Sequence, residues 1–282
     1  PFPGMKTIAI VLSLNLILNG LKSFSLSFKK SGVLLMHIGI IVLFVGTAVA
    51  SIYMKESVLT IYEGQKASFS RDFSLWEFIV LKKQHNNANH GYFVSDTVHF
   101  NKIKNNTKIT FPNTSVSLVI KKIYQNCTAP SIDSLQPQKI SADQAGNFPG
   151  IEAVVTAKDN EENREHRILL YGGKIDPVLF TMADDTLFFM LKPHEIGLPF
   201  EITLNRFINI NHPGTTDAKS YESHITVRGD GINRNAVITM NRPFRYKSLT
   251  FYQNGFMTQN NFNATTLFVV DNSFRFVPYI AG

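Results

Sequence analysis

Read as a pattern of apolar and polar positions, the chain changes character near residue 54. Ahead of it apolar residues run on in long stretches; behind it they alternate with polar ones over short stretches. The run from Gly32 to Ala50, inside "SGVLLMHIGIIVLFVGTAVASIY", holds no formal charge and one histidine, His37. A hydrocarbon core about 30 Å thick needs about 20 apolar residues in a helix rising about 1.5 Å per residue. Gly32 to Ile52 meets that length, which predicts a transmembrane helix over 32–52. "TIAIVLSLNLILNG", Thr7 to Gly20, predicts a second span near the lower limit of length. No small-residue cleavage site follows it and another span comes directly after, so it does not read as a signal peptide. The joining segment 21–31, "LKSFSLSFKKS", carries Lys22, Lys29 and Lys30 and no acid. By the positive-inside rule this loop is cytoplasmic. Residues 1–53 are then a transmembrane helical hairpin, and everything after Met54 lies outside the cytoplasm.

The rest of the chain has the two-residue period of strands. "SVLTIYEG" (57–64), "TSVSLVIKKIY" (114–124), "IEAVVTA" (151–157), "RILLYGG" (167–173), "PFEITLNRFINI" (199–210), "SHITVRG" (223–229), "NAVITMN" (235–241), "SLTFYQNG" (248–255) and "TTLFVVD" (265–271) are separated by Asn, Gly, Pro and Asp clusters. Alternation in "SVSLVI" and "FEITLN", with enrichment in Val, Ile, Thr and Phe, predicts half-buried strands. The fold class expected is therefore a membrane-anchored, mainly β protein: transmembrane helices followed by a large extracytoplasmic antiparallel β-sandwich-like domain over 54–272. The polar stretch from Ala129 to Asn147 reads as a long loop or an inserted flexible segment, a candidate divider of that region into two sub-lobes. "KDNEENREH" (158–166) mixes charge signs and reads as a solvated hairpin turn. The sequence begins at Pro1 and stops in the aromatic run "FRFVPYIAG". Both ends are therefore expected to be truncated, with 273–282 the start of a closing transmembrane helix.

Charge changes this picture little. Of 28 Lys and Arg, 23 lie between residues 54 and 272 together with all 21 acidic residues, which leaves that region at +2. The basic balance is mostly membrane topology, and no nucleic-acid partner is expected. Cys127 is the only cysteine, so the outer region has no internal disulfide and depends on its apolar core. Asn-X-Ser/Thr sequons such as those at Asn113 and Asn126 arise by chance in an Asn-rich chain. No glycine-rich phosphate loop, zinc-spaced His and Cys cluster or Gly-X-Ser-X-Gly elbow is present. The outer region offers no autonomous active site.

Several segments, in order, carry a family resemblance. "LSLNLILNGLKSF", "GVLLMHIGIIVLFVGT", "YEGQ", "PFEITLNRFINI" with "HPGTTDAKSYESHITV", and above all "VITMNRPFRYKSLTFYQNGF" together resemble the ResB (CcsB) family of cytochrome c biogenesis proteins. The resemblance covers most of the chain and is weakest between about 83 and 148. Its most specific piece is "NRPFRYKSLTFYQ", residues 241–253, with Phe244 in place of the usual Leu and Ser248 where Gly is common. The family acts in system II, as a separate protein or as the N-terminal half of a fused CcsBA protein. The resemblance implies a subunit that works with CcsA to move haem across the cytoplasmic (inner) membrane and deliver it to apocytochrome c. It also implies a multi-pass protein in membrane lipid, with the large domain in the periplasm or an equivalent space. Such a chain would be one component of a holocytochrome c synthase complex and not catalytic alone; haem b would be held transiently and shared with CcsA. The Trp-rich haem-handling motif of CcsA is missing here, where Trp76 is the only tryptophan.

His37 admits two readings from the residues alone. It can hydrogen-bond a neighbouring helix, or it can serve a function, since polar groups inside a span are costly and face a bundle or cavity. At about 100° per residue, Gly32, Gly39, Gly46 and Ala50 share one face of the helix and His37 lies nearly opposite. A haem ligand needs an imidazole lone pair, an apolar wall and a second axial ligand; Val33, Leu34, Ile41 and Phe44 supply the wall. The resemblance assigns His37 as a haem axial ligand in the membrane. Glu63 and Gly64 match the family's "EG" and read as a turn with a left-handed glycine. Asn241, Pro243, Tyr252 and Gln253 are expected to fix two strands and their crossing, their amides satisfying buried backbone groups. His85, His90, His99, His166, His194, His212 and His224 show no ligand spacing. The rival function is a membrane-tethered extracytoplasmic β scaffold with no haem role, in which His37 is structural.

Overall fold

A computed structural model describes residues 5–22, 31–83, 92–110, 116–141, 146–159, 162–174, 176–182, 185–215, 218–259 and 262–282. Most of the loop between the two apolar stretches, with Lys29 and Lys30, lies outside the described residues, as do His85, His90 and Asn113. Two helices open the chain, α1 (Met5–Lys22) and α2 (Ser31–Tyr53). Among the described residues, α2 is the helix long and apolar enough to cross a membrane, over Gly32–Tyr53, while α1 carries a shorter apolar stretch at Ile10–Gly20. Polar side chains in both helices turn back on their own helix. Thr47 Oγ1 donates to Leu43 O at 2.7 Å, Ser51 Oγ donates to Ala48 O at 2.8 Å, and Asn19 donates to Asn15 one turn earlier. In hydrocarbon this removes the cost of an unmet hydroxyl or amide.

The strands that follow are β1 (Lys55–Tyr62), β2 (Lys66–Lys83), β3 (Tyr92–His99), β4 (Lys108–Thr110) and β5 (Val116–Tyr124). Next come β6 (Cys127–Ser131), β7 (Ser134–Pro137), β8 (Gly150–Asp159), β9 (Glu162–Tyr171) and β10 (Val178–Met182). The last are β11 (Asp185–Asn211), β12 (Ala218–Gly229), β13 (Ile232–Thr239), β14 (Phe244–Tyr246), β15 (Leu249–Gln259) and β16 (Phe262–Asp271), before a short helix α3 (Val277–Ala281). The described strand pairs whose registers are resolved are antiparallel, so the mainly antiparallel β fold expected from the alternation is what forms. The chain makes two compact units, Pro1–Ser68 with Leu198–Gly282, and Phe69–Gly197.

In the first unit β1 pairs with β16, β16 with β15 and β15 with β14, while the second half of β11 pairs with β12 and β12 with β13. Alternate residues of these strands point to one side and meet there. Leu59 and Ile61 of β1, Ile202 and Leu204 of β11, Ile225 and Val227 of β12, Phe251 of β15 and Leu267 of β16 form one buried cluster. Each fully buried side chain of this size contributes about 1.5–3 kcal/mol of apolar transfer, which is what holds a domain with no disulfide.

The second unit is a sandwich. Phe78 and Val80 of β2 and Leu187, Phe189 and Leu191 of β11 face Leu118 and Ile120 of β5, Ile151, Ala153 and Val155 of β8 and Leu170 of β9. Trp76 belongs to this core: its indole N–H donates to Phe73 O at 3.0 Å and its ring meets Phe73 and Phe148 edge-on. Gly172 lies so close beneath it that a Cβ there would come within 2.7 Å of the indole ring. The described flanks of the acidic stretch 158–166 pair antiparallel, with Asp159 opposite Glu162.

The polar stretch after Ala129 differs from the long loop expected. It contains the hairpin of β6 and β7, and side chains reach part of its backbone. Asn126 Nδ2 donates to Lys139 O at 2.8 Å and Asn126 Oδ1 accepts from Phe148 N at 3.1 Å, while Asn147 exchanges two bonds with the backbone of Ser141. Beneath the hairpin, Tyr124, Cys127 and Leu135 make a small separate core. Cys127 is 1% exposed and sits against Gly150. Burial pushes its thiol from an ordinary 9.0 up to about 11. The unfolded chain ionises this thiol first, so the folded state loses relative stability as pH rises from about 9 to about 11, and not below. Cys127→Ala should therefore flatten the alkaline fall in unfolding free energy by up to about 1.4 kcal/mol per pH unit in that window. Denaturant titrations at stepped pH measure this; an unchanged slope would show that the thiol ionises freely in the fold.

Candidate functional site

His37 lies on α2 with its ring half-exposed. Its Nδ1 is 2.7 Å from Val33 O. A carbonyl oxygen can only accept, so Nδ1 carries the proton, and of the two neutral tautomers this contact selects the one whose lone pair is on Nε2. Among the described residues Nε2 has no partner. Leu34, His37, Ile41 and Phe44 are all half-buried at three- and four-residue spacing, a second covered stripe on the helix. The glycine face is occupied elsewhere. A Cβ on Gly39 would meet Ala281 O at 2.5 Å, and one on Gly46 would overlap Val277, so α3 packs directly on these two positions. Small residues let two helix backbones approach, and here they leave the imidazole on the other side. An imidazole fixed by its own helix, with a free Nε2 and an apolar wall that includes the exposed Val33, fits the ligand chemistry of a haem iron.

Glu63 and Gly64 build the turn that leaves β1. Gln65 N donates to Tyr62 O at 2.9 Å, and Gly64 has φ +82° while Glu63 does not enter the left-handed region, which is a type II turn. Nothing lies within 4 Å of a Cβ built on Gly64, so backbone conformation alone requires glycine there. Gly64 N donates to Leu204 O at 2.8 Å, and Glu63 Oε2 accepts from Phe207 N and from Asn263 Nδ2, each at 3.3 Å. These bonds fall where the β11–β12 register shifts between Leu204 and Arg206. The carboxylate thus meets a backbone N–H next to the bulge.

The segment from Asn241 to Gln253 sorts into four jobs. Thr239 and Arg242 exchange both backbone bonds at 3.2 Å around the exposed Asn241, closing a tight hairpin, and Pro243 follows it. Phe244 is buried against Phe200 and Phe251, so the aromatic at this position fills the core. Tyr246 Oη donates to Asp230 O at 2.6 Å and Lys247 Nζ donates to Asp230 Oδ2 at 2.6 Å, tying down the β12–β13 turn. Tyr252 points outward, 40% exposed, while Gln253 points inward. Gln253 Nε2 donates to Gly255 O at 3.1 Å, which fixes the amide's orientation, and also to Thr265 Oγ1 at 2.7 Å. Ser223 Oγ donates to Gln253 Oε1 at 2.7 Å. With that proton committed, the 2.8 Å contact between Ser223 Oγ and Thr265 Oγ1 takes its proton from threonine. The result is a closed ring of three side chains, two of them fully buried, beside the β15 bulge between Gln253 and Gly255.

The histidines beyond the membrane helix include one convergence that sequence spacing hides. His194 Nδ1 lies 2.8 Å from Glu77 Oε1, and His99 Nδ1 lies 3.7 Å from the same oxygen. The three residues come from β11, β2 and β3, so no local motif announces them. Among the described residues no group of three or more His, Cys, Asp or Glu could hold a metal ion. The structure does not bring His37 together with Glu63, Gly64 or the 241–253 segment into one pocket.

A helix long and apolar enough to cross a membrane, followed by antiparallel β units, defines a mainly β protein with a candidate membrane span. Residues 162–276 match the model of the ResB-like family, which bears out the resemblance drawn from the sequence. A ResB-like segment points to a role in cytochrome c biogenesis. No curated protein matches the chain.

Proposed function

We propose that this protein is a subunit of the system II cytochrome c maturation machine, working with CcsA to pass haem across the membrane and deliver it to apocytochrome c. The observation that carries the reading is the His37 tautomer: Nδ1–H is held by Val33 O at 2.7 Å, so Nε2 is directed away as a lone pair. A hydrogen bond on the far nitrogen orients a ligating imidazole and raises its basicity. Haem is cargo here; its iron would take Nε2 on one side and a CcsA ligand on the other. The apolar wall of α2 would exclude water from the macrocycle. The folded β units, with their sealed cores, would brace the partner and receive apocytochrome c. The test is the visible absorption of the membrane-extracted complex with and without His37.

The same proposal fixes an orientation. α1 and α2 form a hairpin whose loop stays in the cytoplasm, and the β units stand in the periplasm or an equivalent space. Alkaline phosphatase fused after Gly64 is expected to be active and the same enzyme fused after Lys30 inactive. The reverse pattern would remove the haem-export reading, because the β units would then lie on the side from which haem departs.

A further inference from the structure

We infer that a cavity at the end of α2 binds the headgroup phosphate of an anionic phospholipid. The cavity, about 640 Å³, is bounded on one side by Gly46, Thr47 and Ala50 of α2 and on another by Arg245, Tyr252 and Arg275. Arg275 is half-buried; its Nε and Nη1 are buried and, among the described residues, have no hydrogen-bond partner. The guanidinium does lie over the Phe276 ring, 4.6 Å from its centroid, but a ring face accepts no fork of N–H bonds. Among the described residues, no acidic side chain lines the cavity. Guanidinium N–H groups withdrawn from water and left unbonded are costly, so this edge of the arginine calls for an anion.

Position selects the kind of anion. This inference rests on α2 spanning the membrane, and does not depend on which way it runs or on haem. Phe274, next to Arg275 in the chain, meets the ring of Tyr53, the last residue of α2, at 5.8 Å between centroids, so the arginine stands at the end of the span where headgroups lie, while Thr47, six residues or about 9 Å further in, is at hydrocarbon depth. Thr47 spends its own proton on Leu43 O, so the polar pull in the cavity comes from the strand side. An amphiphile would set its phosphate between Arg275 and Arg245 and lay its chains along α2 and Val277. Guanidinium matches phosphate geometry with paired N–H bonds, and a free inorganic anion would leave the apolar side of the cavity unfilled.

The full chain in detergent micelles, titrated with dihexanoyl phosphatidylglycerol, should show a saturable rise in thermal midpoint. Dihexanoyl phosphatidylcholine should need at least about tenfold more for the same shift, and inorganic phosphate should give none at equal concentration. Arg275→Gln should weaken the phosphatidylglycerol response about tenfold or more. Arg245→Gln, on an exposed position of β14, should weaken it about threefold and serves if Arg275→Gln does not fold. Equal responses to both lipids would mean adsorption without recognition, and an equal response to inorganic phosphate would mean a free-anion site. Either result, or unchanged affinity in the arginine variants, overturns the inference. His37→Ala should leave the lipid response intact, so failure here and failure of the haem reading are separate results.

Discussion

His37→Ala is expected to lower the haem that co-purifies with the assembled complex by roughly tenfold or more, and holocytochrome c formation with it, at unchanged protein level. The coordinate bond is lost while the helix still inserts, because alanine removes a polar group from the span and α2 stays long and apolar. The hydrogen bond given up, Nδ1–H to Val33 O, is local to one turn, so its loss leaves the packing of α3 on Gly39 and Gly46 untouched. Exogenous imidazole is small enough to enter the vacated space and should restore part of both readouts. His37→Cys should keep some haem through thiolate coordination, with a shifted Soret band. A structural histidine would behave differently: surviving protein would carry its full haem spectrum and imidazole would do nothing. Full haem content and normal maturation in His37→Ala would leave the scaffold reading standing.

The parts of the fold that could be read from sequence are those where one face alone is buried. β1 and β16 alternate cleanly because one side meets the core and the other does not, and they pair in register from Lys55–Asp271 to Tyr62–Ala264. β2 is silent for the opposite reason. Trp76, Glu77, Phe78, Ile79 and Val80 are all buried in succession, so the period of two vanishes. β11 begins well before the expected Pro199, since Pro193 and Gly197 read as breaks yet lie inside the strand. The β6–β7 hairpin contains Pro130 and a polar run, and Asn126 and Asn147, bonding at a distance to backbone groups, help give it shape.

The candidate site divides along the same line. His37 was visible because a lone imidazole in a charge-free run has no neighbours to dilute it, and the Gly39 and Gly46 face was visible from helical spacing. The turn at Glu63 and Gly64 was legible as a turn, but not the anchoring of Glu63 Oε2 on Phe207 N, which lies 144 residues away in the chain. Glu77 with His99 and His194, and Arg275 with its cavity, depend wholly on tertiary placement. Spacing rules reach across a helix turn or a hairpin and no further.

Gln253→Leu is expected to cost about 2–4 kcal/mol, the largest stability loss from one substitution in the first unit outside its apolar core. The three side chains of the ring satisfy one another with no surplus. Removing the amide takes the acceptor from Ser223 Oγ, a donor from Thr265 Oγ1 and a side-chain donor from Gly255 O, all within reach of 3.1 Å or less. Ser223 and Thr265 are fully buried, so water cannot replace what is lost. The shape of leucine is close enough that a cavity is a minor part of the cost. Because the penalty is one of stranded polar groups, deleting the other two should return much of it. Gln253→Leu combined with Ser223→Ala and Thr265→Val should therefore be more stable than Gln253→Leu alone, against the ordinary expectation that core substitutions accumulate. Thermal midpoints of the solubilised chain read both effects, several degrees down for the single variant and partly back for the triple. A triple variant less stable than the single would mean that packing, not hydrogen-bond closure, is what Gln253 supplies.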